Sequence, residues 1–243
     1  TAYEIPKRDW SSDVYSSDLV TTASFDIAGL EIWLPLVNGA TVVIASSDDA
    51  KDTHALATLI REHSITMMQA TPVTWTALLD SGWPSAKHTR IKALVGGEAL
   101  SRALADRLVE SCAEVWNMYG PTETTIWSTL WKVHRGEGPV SIGRPITNTE
   151  ILILDKALQP VPTGSPGEIF IGGDGLARGY LNRDELTREK FVAHPFKPNA
   201  HLYRTGDLGY YLPDGELVCL GRTDNQVKVR GFRIELGEIE SAL

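Results

Sequence analysis

Cysteine is scarce in this sequence: it occurs twice, as Cys112 and Cys219, far apart. A disulfide framework or a cysteine-rich metal site needs several closely spaced cysteines, so both are excluded, and the thiols suit a reducing compartment. A basic excess is also absent, since the net charge is −8, which argues against nucleic-acid binding. No apolar run is long enough to span a bilayer, and no signal peptide opens the sequence. We therefore expect a cytoplasmic protein that binds neither membrane nor nucleic acid.

The first half of the sequence alternates between strand and helix patterns. With 243 residues, of which 42% are hydrophobic, the chain can form one large domain or two smaller ones. Helices are predicted at 25–37, 53–63, 72–79 and 102–110, and strands at 41–45, 65–68, 91–95 and 113–118. The first helix is rich enough in apolar residues to be buried. Alternation of this kind predicts an α/β fold with a mostly parallel sheet.

The second half changes character near residue 136. Short strand patterns at 150–154, 167–171, 210–211 and 216–220 are separated by Pro- and Gly-rich turns, with one short helix at 184–191. We expect an α/β part over 21–135, a β-rich subdomain over 136–220, and a third segment, 221–243, that begins a truncated C-terminal domain. Residues 1–20 repeat a Ser-Ser-Asp triplet without helix or strand periodicity, and we interpret them as an atypical arm or junction.

Residues 117–125 are the most informative stretch. An apolar strand leads into Gly120-Pro121, which forces a turn. Four polar residues follow, including Thr122 and Glu123. Hydroxyls can bond phosphate oxygens, a carboxylate can hold Mg²⁺, and the ring of Tyr119 can stack on a base. Taken alone, the stretch fits a polar turn after a buried strand better than a nucleotide site.

Three further stretches are suggestive. The glycine-rich run 172–179 lacks the Gly-x-Gly-x-x-Gly spacing and the long helix of a dinucleotide site, and predicts only a turn after a strand. In 203–209, Asp207 follows a glycine, where a carboxylate could bond ribose hydroxyls or could equally cap a turn. In the cationic segment 221–233, Arg222 is either a second ribose or phosphate contact or part of a solvated strand.

Together these stretches closely resemble the adenylation domains of non-ribosomal peptide synthetases, within the adenylate-forming superfamily. The resemblance rests on residues 24–26, 117–125, 167–181, 203–208 and 221–240, in the order in which the family has them. It covers about residues 21–243. It implies a partial adenylate-forming fold: a parallel α/β subdomain, a β-rich subdomain and the start of a small C-terminal α+β domain.

The resemblance also implies an ATP- and Mg²⁺-dependent reaction that forms an aminoacyl-adenylate. Catalytic roles fall on Thr122 at the α-phosphate and Glu123 at Mg²⁺. The implied nucleotide-binding residues are Gly97, Glu98, Asn117, Tyr119, Gly120, Thr122, Asp207 and Arg222. Among them, Tyr119 would stack on adenine and Asp207 would bind the ribose hydroxyls.

The same resemblance implies partners and a moving domain. The acyl group would pass to the phosphopantetheine thiol of a peptidyl carrier domain, with a condensation domain as neighbour. Asp224 would be the hinge of the C-terminal domain. The family's phosphate-gripping loop with its lysine is missing upstream of Ser24, and its C-terminal lysine is missing as well. We therefore expect a fragment with weak or no activity by itself, or one that acts only as a binding module.

The predicted class of substrate depends first on Asp26. In the peptide-synthetase branch this carboxylate pairs with the α-ammonium of an amino acid, whereas acyl-CoA synthetases, the alternative, have no ammonium to meet. Asp26 could also be the N-cap of the following helix. The implied pocket comprises Asp26, Ile27, Leu30, Gln69, Val95, Gly97, Met118, Ile126 and Trp127. Most of these side chains are large, and the pattern is similar to the glycine-specifying signature of the family. The resemblance therefore implies glycine as the substrate, with alanine as runner-up.

Overall fold

The computed structural model describes residues 16–19, 21, 24–84, 89–223, 227–229 and 232–234. These residues form two compact units. The α/β unit contains the described residues up to Met118 together with Trp131–Val140. The β unit contains Tyr119–Leu130 and the described residues from Ser141 onward.

The α/β unit is built on five parallel strands in the order β2-β1-β3-β4-β5. The strands are β1 (Ser16–Leu19), β2 (Thr41–Ile44), β3 (Met67–Ala70), β4 (Lys92–Val95) and β5 (Glu114–Tyr119). The helices between them are α1 (Ala28–Val37), α2 (Thr53–Glu62), α3 (Pro72–Asp80) and α4 (Arg102–Ser111). The predicted parallel α/β arrangement is therefore present, with strand–helix alternation as the sequence indicates.

Local capping explains where three of these helices begin. The side chain of Asp52 accepts hydrogen bonds from the backbone N–H groups of His54 and Ala55 at the start of α2. Ser101 accepts from Leu104 N–H at the start of α4. Thr71 precedes α3, whose first residue is Pro72. Such caps satisfy backbone donors that have no partner inside the helix.

The core of the α/β unit lies between the central strands and their helices. Met68 on β3, Trp75 and Leu78 on α3, and Leu108 on α4 have no exposed surface. The indole Nε1–H of Trp75 donates to the carbonyl oxygen of Leu94 at 3.2 Å, so its one polar group is satisfied inside the core. Helix α3 is thereby fixed to β4, which leads toward the candidate site.

The β unit is an antiparallel sheet in the order β10-β11-β9-β8, with β12 also paired to β11. Its elements are β8 (Thr149–Leu154), β9 (Gly167–Gly173), α5 (Asp184–Lys190), β10 (Phe191–Ala193), β11 (His201–Tyr211) and β12 (Leu217–Arg222). β6 (Thr129–Lys132) pairs with β7 (Arg144–Pro145), and β13 (Val227–Val229) pairs with β14 (Phe232–Ile234), both antiparallel. The β-rich character expected of the second half is present.

Three expectations about individual elements are wrong. Ser16–Leu19 is a strand, β1, between β2 and β3, although its sequence has no strand pattern. The long strand β11 covers His201–Tyr211, where only residues 210–211 were predicted as strand. Helix α1 is not fully buried, since Trp33 and Val37 are 64% and 77% exposed. In the first two cases pairing with neighbouring strands overrides weak local propensity.

Every described helix has ten residues or fewer, and none is long and apolar enough to cross a bilayer.

Candidate functional site

The turn after β5 is shaped by close backbone packing. β5 ends at Tyr119, a 3-10 turn covers Thr122–Thr124, and the backbone N–H of Ser128 returns to donate to the Tyr119 carbonyl at 2.8 Å. A Cβ on Gly120 would lie 2.6 Å from the carbonyl oxygen of Ile126 and 2.7 Å from the nitrogen of Ser128. Only glycine fits between these backbone atoms. The predicted strand-to-turn stretch is confirmed, and the glycine lets the chain fold back tightly.

Glu123 is a buried carboxylate inside this turn. It is 8% exposed, and its Oε1 accepts a hydrogen bond from the Tyr180 hydroxyl at 2.6 Å. The backbone carbonyl of Glu123 accepts from Ala177 N–H at 2.8 Å, which ties the turn to the glycine-rich run after β9. Burial, and then the hydrogen bond to Glu123, raise the pKa of Tyr180 far above its usual range. Tyr180 therefore remains a hydrogen-bond donor to the carboxylate at any physiological pH.

Tyr119, Asp207 and Arg222 form a hydrogen-bonded cluster. The Tyr119 hydroxyl donates to Asp207 Oδ2 at 2.5 Å, and Arg222 Nη1 donates to Asp207 Oδ1 at 2.9 Å. Asp207 is 8% exposed, so its charge needs these partners. Burial, and then the charge of Asp207, raise the pKa of Tyr119 well above its usual range. Three residues singled out from separate stretches of sequence thus meet at one carboxylate.

An irregularity in β11 places Asp207 there. The pairing of β11 with β9 shifts register between Arg204 and Leu208, and Gly206 has a φ of +76°. The Thr205 hydroxyl donates to the Ile169 carbonyl at 2.7 Å and accepts from the backbone N–H of Asp207 at 2.9 Å. β-Bulges re-aim side chains in this way. Asp207 lies within a strand, so the alternative that it caps a turn is wrong.

In the α/β unit, predicted pocket residues lie at the carboxyl edge of the parallel strands. In the sheet, Ala70 aligns with Val95, and Val95 aligns with Asn117, so the ends of β3, β4 and β5 are in line. Side chains at this edge of an open α/β sheet are the usual ligand contacts. The predicted residues at these strand ends are buried: Gln69, Val95, Asn117 and Met118. Gly97, with a φ of +86°, and Glu98 follow β4 and are partly buried.

Gln69 is fixed by two side-chain hydrogen bonds. It is 1% exposed, and its Nε2 amide donates to the Ile27 carbonyl at 2.9 Å and to Glu31 Oε1 at 2.8 Å. Ile27 is 2% exposed, and Asp26 and Leu30 are partly buried at the start of α1. The N-cap of α1 is Ile27, without a side-chain cap bond, so the interpretation of Asp26 as an N-cap is wrong. Asp26 thus has no capping role that would explain a carboxylate here.

The remaining predicted positions lie in the β unit or outside the described residues. Trp127 is 5% exposed and Ile126, with a φ of +69°, is partly buried. Thr122 is exposed at the start of the 3-10 turn. The predicted hinge, Asp224, lies outside the described residues.

Sequence reasoning missed two polar side chains that contact predicted site residues. These are Tyr180, in the stretch 167–181, and Glu31, in the apolar helix α1, neither of which is among the predicted site residues. A glutamate on the apolar face of α1 was the available signal, because a buried carboxylate must have hydrogen-bonding partners. Tyr180 had no such local signal.

The sequence profile described as "AMP-binding enzyme" matches residues 3–181. The chain belongs to the AMP-binding enzyme family. The predicted resemblance to peptide-synthetase adenylation domains is confirmed by relatives within it. A dimodular nonribosomal peptide synthase of Bacillus subtilis is 49% identical over 226 residues, which are 92% of this chain and 9% of that protein. Tyrocidine synthase 3 of Brevibacillus parabrevis is 45% identical over 227 residues, 92% of this chain and 4% of that protein.

Solved structures place the chain in the adenylation-domain fold of the family. A four-domain nonribosomal peptide synthetase bound to AMP and glycine is 44% identical, with a TM-score of 0.81 over 94% of this chain and 17% of that one. A synthetase protein containing adenylation and PCP domains is 32% identical, with a TM-score of 0.82 over 94% of this chain and 40% of that one. The chain thus spans a small part of the family members it matches.

Proposed function

We propose that this chain is part of an adenylation domain that activates an amino acid in non-ribosomal peptide synthesis. A carboxylate oxygen of the amino acid attacks the α-phosphorus of ATP, and the bond to the leaving pyrophosphate breaks, which yields an aminoacyl-adenylate. The thiol of a phosphopantetheine carrier then attacks the acyl carbon and AMP leaves. The observation that carries the proposal is the cluster of Tyr119, Asp207 and Arg222, because three residues to which the resemblance assigns nucleotide contacts meet there.

The cluster suits a nucleoside. Asp207 carries two carboxylate oxygens that can accept from a pair of ribose hydroxyls, and Arg222 holds that carboxylate and can donate to the ribose as well. The Tyr119 ring offers a face for adenine, while Asn117, Gly120, Gly97 and Glu98 complete the proposed nucleotide contacts. The solved relative bound to AMP and glycine supports a nucleotide of this kind.

Glu123 suits Mg²⁺ together with nucleotide phosphates. Mg²⁺ is usually held by one or two carboxylates plus phosphate oxygens and water, and Glu123 is a carboxylate fixed by Tyr180 in the turn. Within the described residues, no group of three His, Cys, Asp or Glu side chains that could hold a metal ion occurs. The metal would neutralise phosphate charge. Thr122, exposed beside Glu123, can donate to the α-phosphate.

Glycine is the proposed substrate. Asp26 would pair with its α-ammonium, and most of the other pocket positions that the resemblance implies have large side chains: Ile27, Leu30, Gln69, Val95, Met118, Ile126 and Trp127. Gln69, Val95, Met118 and Trp127 are each 5% exposed or less, so they are held in place by their surroundings. The glycine in the relative that is 44% identical supports the same choice. Alanine, larger by one methyl group, is the runner-up.

Pyrophosphate exchange on the full-length protein tests this function. We expect glycine to support ATP–pyrophosphate exchange about 10- to 100-fold better than alanine, since one methyl group is discriminated to that extent. Phenylalanine and acetate should support none. Exchange with acetate and CoA would instead favour an acyl-CoA synthetase-like ligase. Strong exchange with phenylalanine and none with glycine would overturn the assignment of the pocket.

The second half-reaction, transfer of the amino acid to a carrier domain, is tested by a loading experiment. We expect glycine to be loaded onto a carrier domain that bears phosphopantetheine, as the solved relative with adenylation and PCP domains suggests. Calorimetric binding of a non-hydrolysable glycyl-adenylate analogue separates an active site from a chain that only binds other proteins. Absence of binding would favour the latter.

A further inference from the structure

We propose that Glu31 is a specificity-determining positioning residue that acts through Gln69. The inference rests on the proposed function, because it takes Gln69 as a wall of the amino-acid pocket. Its basis is a buried carboxylate that contacts this wall. Glu31 lies on α1, is 2% exposed, and accepts a hydrogen bond from Gln69 at 2.8 Å.

The hydrogen bonds determine which way the Gln69 amide faces. The oxygen and nitrogen of a glutamine amide look alike in shape, so their assignment comes from their partners. Here both partners, the Ile27 carbonyl and a carboxylate oxygen of Glu31, are acceptors. The NH₂ group must therefore face α1, and both of its hydrogens are used. A flipped amide would place its oxygen against two acceptors.

This arrangement ties the proposed wall of the pocket to α1 and to Ile27, the residue that follows Asp26. Ile27, the N-cap residue, and Glu31 on α1 are four residues apart, so they lie on the same side of the helix, and a single amide on β3 bridges them. Both ends of the bridge are buried, which strengthens the hydrogen bonds and excludes water. Gln69 is thus held in one conformation. A wall with one conformation excludes a methyl group more sharply than one that can swing away.

A purely structural role for Glu31 is the competing explanation. A buried glutamate that merely anchors α1 would affect ATP and every amino acid alike when replaced. A positioning role would instead change the ratio between amino acids that differ by one methyl group. The ratio of kcat/KM for alanine to that for glycine therefore distinguishes the two.

Two variants of the full-length protein test the inference by pyrophosphate exchange. Glu31→Met keeps the length of the side chain but removes the acceptor, and we expect the alanine-to-glycine ratio to rise by about tenfold, through the KM for the amino acids. Glu31→Gln keeps an acceptor oxygen but loses the charge, and a rise of about fivefold is expected. The KM for ATP should stay within about twofold of the unchanged protein in both.

Gln69→Leu provides the matched control. If Glu31 acts through Gln69, adding Glu31→Met to Gln69→Leu should not shift the ratio further, since the two residues act as one unit. Should Glu31→Met fail to fold, Glu31→Gln decides alone. An unchanged alanine-to-glycine ratio in the folded Glu31 variants, or a full additional shift in the double variant, overturns the inference. Failure of the unaltered protein to exchange with either amino acid is a different result, which overturns the proposed function itself.

Discussion

At the residue scale, Tyr180 supplies the hydrogen bond that a buried carboxylate needs, because a buried carboxylate without a donor is energetically costly. Glu123 is 8% exposed, and the Tyr180 hydroxyl donates to it at 2.6 Å. The same hydroxyl lies 3.4 Å from that of Tyr203, which is fully buried. The ring of Tyr180 also packs edge-on against Phe191, with centroids 5.5 Å apart. Tyr180 is thus fixed by its ring while its hydroxyl orients Glu123.

Tyr180→Phe should loosen the turn around Glu123. The variant keeps the ring packing and removes only the hydroxyl, and a hydrogen bond to a charged group contributes about 1.5–3 kcal/mol. We expect faster amide hydrogen exchange in peptides that cover residues 119–125, measured by mass spectrometry. Tyr210→Phe is the matched control, because no hydrogen bond of the Tyr210 hydroxyl occurs within the described residues. Unchanged exchange in Tyr180→Phe would contradict a role in holding Glu123.

At the scale of elements, the β5 strand and the turn that follows it depend on one close backbone contact. The chain returns past Gly120 so closely that the Cα of Trp127 would lie 2.7 Å from a Cβ at that position. Thr125 and Ile126 have φ values of +62° and +69°, which few non-glycine residues adopt. The Thr125 hydroxyl donates to the Gly175 carbonyl at 2.6 Å. Neighbouring contacts therefore hold this turn in a strained conformation.

Gly120→Ala should destabilise the protein. All three atoms nearest to the new Cβ belong to the backbone, so they cannot move aside as a flexible side chain would. We expect a loss of about 1–3 kcal/mol, as for other overpacked sites, and a lower melting temperature by calorimetry. Gly136→Ala is the control, since nothing lies within 4 Å of its Cβ position. Equal melting temperatures for the two variants would show that the turn tolerates a methyl group.

At the scale of the whole molecule, each unit contains one cysteine. Cys112 is 4% exposed in the core of the α/β unit, and burial raises the pKa of its thiol to about 12. Cys219 lies on β12 in the β unit and is partly buried. The reactive form of cysteine is the thiolate, so a raised pKa and burial both protect Cys112. The Cys112 thiol can therefore report on the opening of the α/β unit.

Alkylation should reveal this difference. With iodoacetamide at pH 8, we expect Cys112 to react at least about a hundredfold more slowly in the native protein than in urea, because so little thiolate forms at a pKa near 12. Cys219 provides an internal comparison in the same digest and should be labelled before Cys112. Equal labelling of Cys112 with and without urea would mean that the α/β unit opens readily.

The sequence predicted the regular elements well where local signals are strong. Helices α2 and α4 have polar caps and one apolar face, and β3, β4 and β5 are short apolar runs, so period and capping suffice. β1 was not predicted because Ser-Ser-Asp-Leu has little strand propensity. It forms a strand through pairing with β2 on one side and β3 on the other. β11 was predicted only at its end, because Asp207 after Gly206 was interpreted as a ribose contact or the cap of a turn, whereas the structure places both residues in a strand with irregular pairing.

The site was predicted as a set of motifs, and the structure adds the contacts between them. Tyr119, Asp207 and Arg222 were chosen from three stretches, and their meeting at one carboxylate follows only from the folded sheet. The contacts of Glu31 with Gln69 and of Tyr180 with Glu123 join residues 38 and 57 positions apart. No local pattern encodes such pairs. For Asp26 a local signal did exist but was wrong: its position before an apolar helix predicted an N-cap, whereas the N-cap of α1 is Ile27.

The bond between Tyr119 and Asp207 has a consequence for synthesis of the chain on the ribosome. The two residues are 88 positions apart, and at about 5–20 residues per second Asp207 follows Tyr119 by roughly ten seconds. During that interval the parallel strands of the α/β unit, which are already complete, can pair. The Tyr119 hydroxyl meanwhile has no carboxylate to bind. The cluster at Asp207 is therefore among the last parts of this region to be assembled, long after the helices that precede it.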